Sequence, residues 1–522
     1  MIDVEEILYR HDGSEIARKG DLVLKAFKHP ELFLPADESL AEVNIPWIIS
    51  EERHNLMVLS KNPNPPSIYY AANTGALDFT PALVDPRIDP QEAEEMRVNN
   101  YVYALRPLGL LTPNDFLVFT EGDEEWMIDA YARVMKPSME SFGLSLPPED
   151  HLIPTSNVEK WILEQNGSLA ICPSVPLPSH VASYGESQAD AVGKYLRTLA
   201  YNIAGTKERA QEFFQSILTD RFPGGIPTPK TQYVYYDPQI HSPEMIANIV
   251  RDTELGKYKY LFIKSTDGRS GGTGSVGSRI EELGKHIALY PNPQKLQFQK
   301  GIKIASGQNI CVSANITPNQ VFINSHTVQR IKQTPEGYAK HDGNIWRKGW
   351  RHGVGMRSDI LETVSAALDA LRVDGRIVGP VNIDMAGSRS KPRSERRGSV
   401  IIPICAFVIE VNARDAGSKL VIEPFQDKKI DDEPIETIMS RASVEIPNDS
   451  FLSPDGSRIL EYTQTDALKG EKEGMQIGIV GPSRKYPGCR PRAGFVFSGT
   501  ENVSLEDLEN LEKKVLSKIE SW

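Results

Sequence analysis

The chain has 522 residues, more than one compact core normally supports, and about two to four domains or subdomains are expected. Its 40% hydrophobic and 25% charged residues are ordinary globular values and suggest neither a disordered nor a membrane protein. With 58 basic against 70 acidic residues, a net charge of −12, it lacks the positive excess that coating nucleic acid requires.

No run reaches the ~18 uninterrupted apolar residues of a bilayer span, and the start "MIDVEEILYRHDGSEIARKG" has no apolar stretch behind a basic one. Cys172, Cys311, Cys405 and Cys489 are far apart and form no C-x-x-C pair, as expected of reduced thiols. A soluble, cytoplasmic protein with neither nucleic-acid nor membrane partners is the expectation.

In chain order, the apolar runs "WIIS", "DFLVFT" and "SLAICPSV" alternate with the helical patterns "EEWMIDAYARVMKPSMESF" and "SQADAVGKYLRTLAYNIAG", which predicts a mostly parallel α/β sheet. The segments "NPNPPSIYY" and "DPRIDPQEAEE" are taken as surface excursions. The amphipathic stretch "KERAQEFFQSILTDRFPGGIPTP" ends in a Gly/Pro stop signal, and a domain boundary is placed near residue 205. Beyond it, "KLQFQKGI", "NICVSANI" and "QVFINSHTVQRI" are successive strands. The helix "SDILETVSAALDALRV" follows, then the strands "IVGPVNIDMAG" and "VIIPICAFVIEVNAR". "GNIWRKGWRHGVG", with Trp346 and Trp350, fits a loop that covers substrate or one that lies on the surface. The basic stretch from Arg389 to Arg397 fits a solvated hairpin tip. The tail "SLEDLENLEKKVLSKIESW" is an amphipathic helix with Ser504 and Asp507 at capping-box spacing and an apolar stripe of Leu505, Leu508, Leu511, Leu516 and Ile519.

The stretch "YLFIKSTDGRSGGTGSVG" carries the first chemical signal: Lys264 ends an apolar run and a glycine-rich loop follows. A Walker loop needs Lys and Ser or Thr directly after its last Gly, and they are absent. A protein kinase puts its glycine loop before the lysine and adds H-R-D and D-F-G segments, also absent. Gly272, Gly274 and Gly277 satisfy G-x-G-x-x-G, but Ser265–Gly271 separates them from the strand, and no acid stands in the downstream segment that would bind ribose. A strand lysine with a glycine lid closing over phosphates fits best, because unhindered backbone N–H groups can surround the oxygens. An ordinary flexible hairpin fits the loop alone equally well.

The second signal is acidic. Asp384 in "GPVNIDMAG" and Glu410 in "FVIEVNAR" each sit late in a strand-like run, and alternation puts Glu410, Asn412 and Arg414 on one face. If the two strands are antiparallel neighbours, the carboxylates converge. Two carboxylates and an amide oxygen are hard ligands suited to magnesium. His326 and Gln329, three apart on one strand, fall on opposite faces, so only one of them can face such a site.

The order of these motifs, over roughly residues 200–430, resembles the ATP-grasp superfamily of the carboxylate–amine (peptide) ligase type. The resemblance implies an α/β and α+β fold: an N-terminal α/β domain (1–205), then a two-lobed ATP-grasp fold with its small, lid-bearing lobe at 206–300 and its large, metal-bearing lobe at 301–430. A closing element would occupy 431–522. It implies ATP and Mg2+ as cofactors, with Lys207 and Lys264 on the phosphates and Ser270, Gly271, Gly272, Thr273 and Gly274 in the lid. Gln299, Lys300 and Ile302 would line the base pocket, Gln299 standing where many members carry Glu. Gln329 would join the nucleotide contacts, and Asp384, Glu410 and Asn412 would hold magnesium. Lys264 and Arg414 would be catalytic. The implied reaction activates a carboxylate as an acyl phosphate, releases ADP and joins the acyl group to the amine of an amino acid or small peptide. Acyl transfer to the thiol of a carrier protein is one alternative, and a non-catalytic nucleotide-binding protein is another. A homodimer is compatible with this scheme.

Overall fold

The computed structural model describes residues 47–50, 56–59, 66–72, 104–120, 123–156, 158, 161, 164, 170–173, 229–265, 275–290, 294–302, 304–316, 320–333, 338–349, 358–373, 379–388, 393–397, 400–404, 406–412, 417–465, 473–484 and 488–522. The helical pattern at 187–205, the boundary near 205 and the segment "DPRIDPQEAEE" lie outside them.

The first sheet holds β1 (Trp47–Ser50), β2 (Leu56–Leu59), β3 (Ile68–Ala72), β4 (Phe116–Thr120), β5 (Leu152–Thr155) and β6 (Ala170–Pro173), in the order β1, β2, β6, β3, β4, β5. Strands β6, β3, β4 and β5 are mutually parallel, whereas β1 and β2 form an antiparallel edge. The expected parallel sheet is therefore its core, and the sheet as a whole is mixed.

One expectation is corrected. "NPNPPSIYY", taken as a surface excursion, runs into the central strand β3, whose Ile68 and Tyr70 are fully buried. The prolines stop just before the strand, so no ladder donor is lost. The first strand N–H, that of Ile68, donates to the buried Asp115 carboxylate at 2.9 Å. Asp115 also accepts from the Thr112 N–H and hydroxyl, which ties the loop before β4 to the start of β3.

The second sheet contains twelve strands among the described residues. Its main path runs β17 (Ala406–Asn412), β14 (Gly379–Ser388), β11 (Ile304–Ile316), β12 (Val321–Gln333), β13 (Tyr338–Arg347), β9 (Ser275–Arg279), β8 (Tyr260–Ser265), β10 (Gln294–Lys300) and β7 (Thr231–Tyr236). β15 (Arg393–Arg397) and β16 (Val400–Ile404) form a separate hairpin, so the run "VIIPICAFVIEVNAR" is two strands. A smaller hairpin, β18 (Lys429–Ile430) and β19 (Glu433–Pro434), turns through Asp431 and Asp432, both at positive φ. β20 (Thr437–Glu445), β21 (Met475–Ser483) and β22 (Arg492–Gly499) branch from the path because β20 pairs with β13.

The apolar alternation of these strands decides what covers them. Ile310, Val312, Ala314, Val381, Ile383 and Met385 bury one face of β11 and β14 under helix α5 (Ser358–Val373), together with Val364, Leu368 and Leu371. At the other end of the sheet Leu261, Ile263, Leu296 and Phe298 pack with Ile246 and Val250 of α3 (Pro243–Arg251) and with Leu283 and Ile287 of α4 (Leu283–Ile287). A third core joins β20–β22 to residues of α1 (Glu124–Ala130) and of the π-helical turn Tyr131–Met135, which leads into α2 (Lys136–Glu140).

"GNIWRKGW" is corrected too. Its first half belongs to β13, and Trp346 is buried against Ile438 and the N-terminal core instead of in a loop. Trp350 lies outside the described residues.

The closing helix, α7 (Leu505–Glu520), starts at the expected capping box: Asp507 N–H donates to Ser504 Oγ, and Asp507 Oδ2 accepts from the Ser504 N–H and hydroxyl. Leu508, Leu511, Val515 and Ile519 are its buried stripe, while Leu516 is only partly covered. Ser504→Ala is expected to lower stability by about 1 kcal/mol, read as a shifted urea midpoint with an unchanged slope.

Candidate functional site

Cross-strand partners share a face and neighbours along a strand alternate, so the registers place every position of the second sheet on one side or the other. Lys264 is opposite in face to Ile263, which pairs with Val276. Val276 pairs with Tyr338. Lys340, two residues on, pairs with Lys332, and Ile331 pairs with His341. Lys264, Ile331, His341 and Gln329 therefore share one face. The same side of β12, β11, β14 and β17 carries Thr327, Cys311, Asp384 and Glu410, because Cys311 pairs with Thr327 and Asp384, and Asp384 pairs with Glu410. The strand lysine and both acids stand on one continuous face, and helices α3, α4 and α5 pack on the other.

At the acidic end, Asp384 and Glu410 are direct partners on the antiparallel strands β14 and β17, and Asn382 and Asn412 are the next pair on that face. Like charges directly opposite, with Cβ atoms about 4.5–5.5 Å apart, are destabilising. A divalent cation bound between them would offset that cost. Asp384 Oδ1 accepts from Gln329 Nε2 at 2.8 Å and from Asn382 Nδ2 at 3.4 Å. Asn382 Oδ1 accepts from Cys311 Sγ at 3.1 Å, and Cys311 Sγ lies 3.3 Å from Ser418 Oγ. Burial, and secondarily the charge of Asp384, push the Cys311 thiol above its ordinary range, so it is a neutral donor. Ser418 comes from α6 (Gly417–Ile422), which lies over this face. From the same helix Lys419, 2% exposed, reaches Asn315 Oδ1 at 3.5 Å, and Ser325 Oγ donates to Glu423 Oε1 at 3.1 Å.

The end of the face formed by β8, β10 and β7 is also polar and covered. Lys264 is 9% exposed and pairs across the strands with Gln297. Gln297 Nε2 donates to the Tyr233 hydroxyl at 3.2 Å, and Gln299 Nε2 lies 3.5 Å from Thr231 Oγ1. Lys300 alternates to the other side and sets its ammonium 4.5 Å from the centroid of the Tyr258 ring. Its N–H donates to Lys230 O and that of Gly301 to Tyr260 O. Ile302 is partly exposed just beyond.

His341 shares this face, and desolvation by the surrounding protein is the largest cause holding its pKa below the ordinary value. The Asn344 side chain and the Gly343 backbone favour the charged ring, and the Arg106 charge opposes it. With the folded pKa lowered, the unfolded chain binds more protons between that value and about 6.5. This contribution is complete above about pH 6.5 and declines as the pH falls through the folded pKa. Urea unfolding at pH 7.5 and 5.5 should show a smaller acid-side loss in His341→Gln than in the wild type.

Of the residues singled out from the sequence, the structure places Lys264, Gln299, Gln329, Asp384, Glu410 and Asn412 on the common face, with Lys300 turned away. Lys207, Ser270, Gly271, Gly272, Thr273, Gly274 and Arg414 lie outside the described residues. His326 pairs with Val312 and faces the apolar side. Asn382, Cys311, Ser418 and Lys419 were not anticipated, although Asn382 could have been found, since it stands two residues before Asp384 and alternation gives it the same face.

Among the described residues no three His, Cys, Asp or Glu side chains gather as a metal cage. Two paired carboxylates with flanking amides remain, a donor set suited to magnesium that keeps water and phosphate oxygens as its other ligands.

No protein-family model matches the chain, and no curated protein does. Solved structures do resemble it. An L-amino acid ligase from Bacillus licheniformis is 13% identical over 87% of this chain and 97% of its own, with a TM-score of 0.41. An N5-carboxyaminoimidazole synthetase from Staphylococcus aureus complexed with ADP is 12% identical over 87% and 97%, with a TM-score of 0.40. A RimK domain protein, ATP-grasp, from Sphaerobacter thermophilus is 14% identical over 44% and 64%, with a TM-score of 0.24. Likeness at this level assigns no activity, and function is argued below from the residues of the site.

Proposed function

We propose that the chain is an ATP- and magnesium-dependent ligase that activates a carboxylate as an acyl phosphate, releases ADP and joins the acyl group to the amine of an amino acid or small peptide. The reading is carried by one observation: the Asp384–Glu410 pair shares a sheet face with the strand lysine Lys264.

Asp384 and Glu410 would hold the metal, with Asn412 offering an amide oxygen beside them. Magnesium bound there would offset the repulsion between a triphosphate and an incoming carboxylate. Lys264 adds a positive charge at the other end of the face, and its burial strengthens that charge by excluding water. The covered polar layer beneath α6 limits hydrolysis of an activated acyl group. None of these roles requires a Ser, Cys or His nucleophile.

The test is incubation of the full chain with ATP, magnesium and pooled amino acids, followed by assay of ADP and mass spectrometry of the products. ADP release that depends on added amino acids, with a condensation product one water lighter than its parts, is the expected result. ADP release indifferent to every substrate, or none at all, would sink the proposal.

A further inference from the structure

Gln329 was expected among the nucleotide contacts, but its amide is engaged elsewhere: Nε2 donates to Asp384 Oδ1 at 2.8 Å. The same oxygen accepts from Asn382 Nδ2 at 3.4 Å. Behind Asn382 stand Cys311, whose thiol donates to Asn382 Oδ1 at 3.1 Å, and Ser418, 3.3 Å from that thiol. Cys311, Asn382 and Ser418 are all buried. Side chains from β12, β14, β11 and α6 therefore converge, directly or in series, on one carboxylate.

We propose that Gln329 is a positioning residue for Asp384. It fixes the rotation of the metal-binding carboxylate from one side, and the Ser418–Cys311–Asn382 chain supports the same carboxylate from the other. The inference rests on the magnesium role assigned to Asp384 above. Its chemistry explains the residue types. A lysine or arginine would orient the carboxylate but cancel the charge that attracts a cation, whereas a neutral amide orients it and leaves the charge in place. A bare carboxylate rotates about its Cβ–Cγ bond, and each alternative rotamer weakens its hold on a cation. Donors on one oxygen remove those alternatives, as partners behind metal ligands generally do.

The test separates this role from a nucleotide contact. The full-length wild type, Gln329→Leu and Gln329→Met are titrated with Mn2+ in the presence of adenylyl imidodiphosphate, free Mn2+ being followed by electron paramagnetic resonance. Nucleotide binding alone is measured in EDTA. Both variants are expected to raise the Mn2+ dissociation constant by about 10- to 100-fold while metal-free nucleotide affinity stays within about twofold. Asn382→Ala should show the same selective loss. Equal Mn2+ affinity in wild type and variants overturns the proposal, and so does a parallel loss of metal-free nucleotide binding. Should Gln329→Leu fail to fold, Gln329→Met, which keeps the length of the side chain but offers no N–H donor, decides. A wild type that binds the nucleotide but no Mn2+ overturns the proposed function itself and is recognised before any variant is made.

Discussion

Replacing Glu410 with Gln is expected to lower kcat/KM for ligation by about 10²- to 10³-fold, because it removes one of two metal-binding carboxylates while keeping the side chain's shape. The same change should leave the metal-free protein as stable as the wild type or slightly more so. Glu410 faces Asp384 directly across β14 and β17, and neutralising one of two opposed carboxylates relieves repulsion. A residue kept for packing would show the reverse, a loss of stability with activity falling only in proportion. Steady-state kinetics and metal-free thermal unfolding on one preparation distinguish the two cases. Lys264→Ala is an independent arm, since it removes charge from the opposite end of the face and should lower turnover without weakening the metal-free acidic pair. Near-normal rates in both variants would refute the site.

Glu512→Ala is expected to cost about 3–5 kcal/mol of folding stability, seen as a large fall in the urea midpoint. Glu512, only 6% exposed on its side chain, sits on α7 and accepts from both terminal nitrogens of Arg330 at 2.9 and 2.6 Å. Arg441 on β20 lies 3.7 Å from it and pairs with Asp342. Two arginines and two acids balance, and without Glu512 two guanidinium groups share one carboxylate. Desolvation already holds the Arg441 pKa below its ordinary value, with the Glu512 charge counteracting and that of Arg330 adding to the fall. Arg330 is next to Gln329 in β12 and points to the opposite side, so the ion cluster braces the sheet from behind the site. Arg330→Met together with Glu512→Leu, which removes one pair of partners, should recover part of the loss.

The parts of the site that were legible from the sequence depend on local alternation. The shared face of Glu410 and Asn412 in "FVIEVNAR" and the opposite faces of His326 and Gln329 follow from a period of two within single strands, and the registers agree with them, whereas the preference for Gln329 came from the resemblance. What could not be read was pairing between distant segments. Nothing in β13 announces that Tyr338 will lie beside Val276, and without that contact the lysine and the acids cannot be assigned to one face. The Arg330–Glu512 contact joins residues 182 apart and leaves no local trace. Elsewhere local signals misled. Prolines ahead of β3 suggested a surface excursion although they end where the strand begins, and the glycines of "GNIWRKGW" suggested a loop although Gly343 occupies a bulge in a central strand. There a Cβ would lie 1.9 Å from Ser440 O, so close backbone approach, not a turn, requires the glycine. In α7 the apolar residues at 515 and 516 could each serve the stripe, and packing selected Val515.

The contact between β9 and β13 consists, among the described residues, of only Tyr338 with Val276 and Ala339 with Ser275. Among the described residues, long ladders run through each half of the sheet, and these two rungs are the strand pairing between the halves. At roughly 0.5–1.5 kcal/mol net for each hydrogen bond, parting them costs little beside melting either half. Among the described residues this line is where the fewest ladder bonds join neighbouring strands between Lys264 and the Asp384–Glu410 pair, so the register of the lysine against the acids is set by two rungs and not by a long ladder.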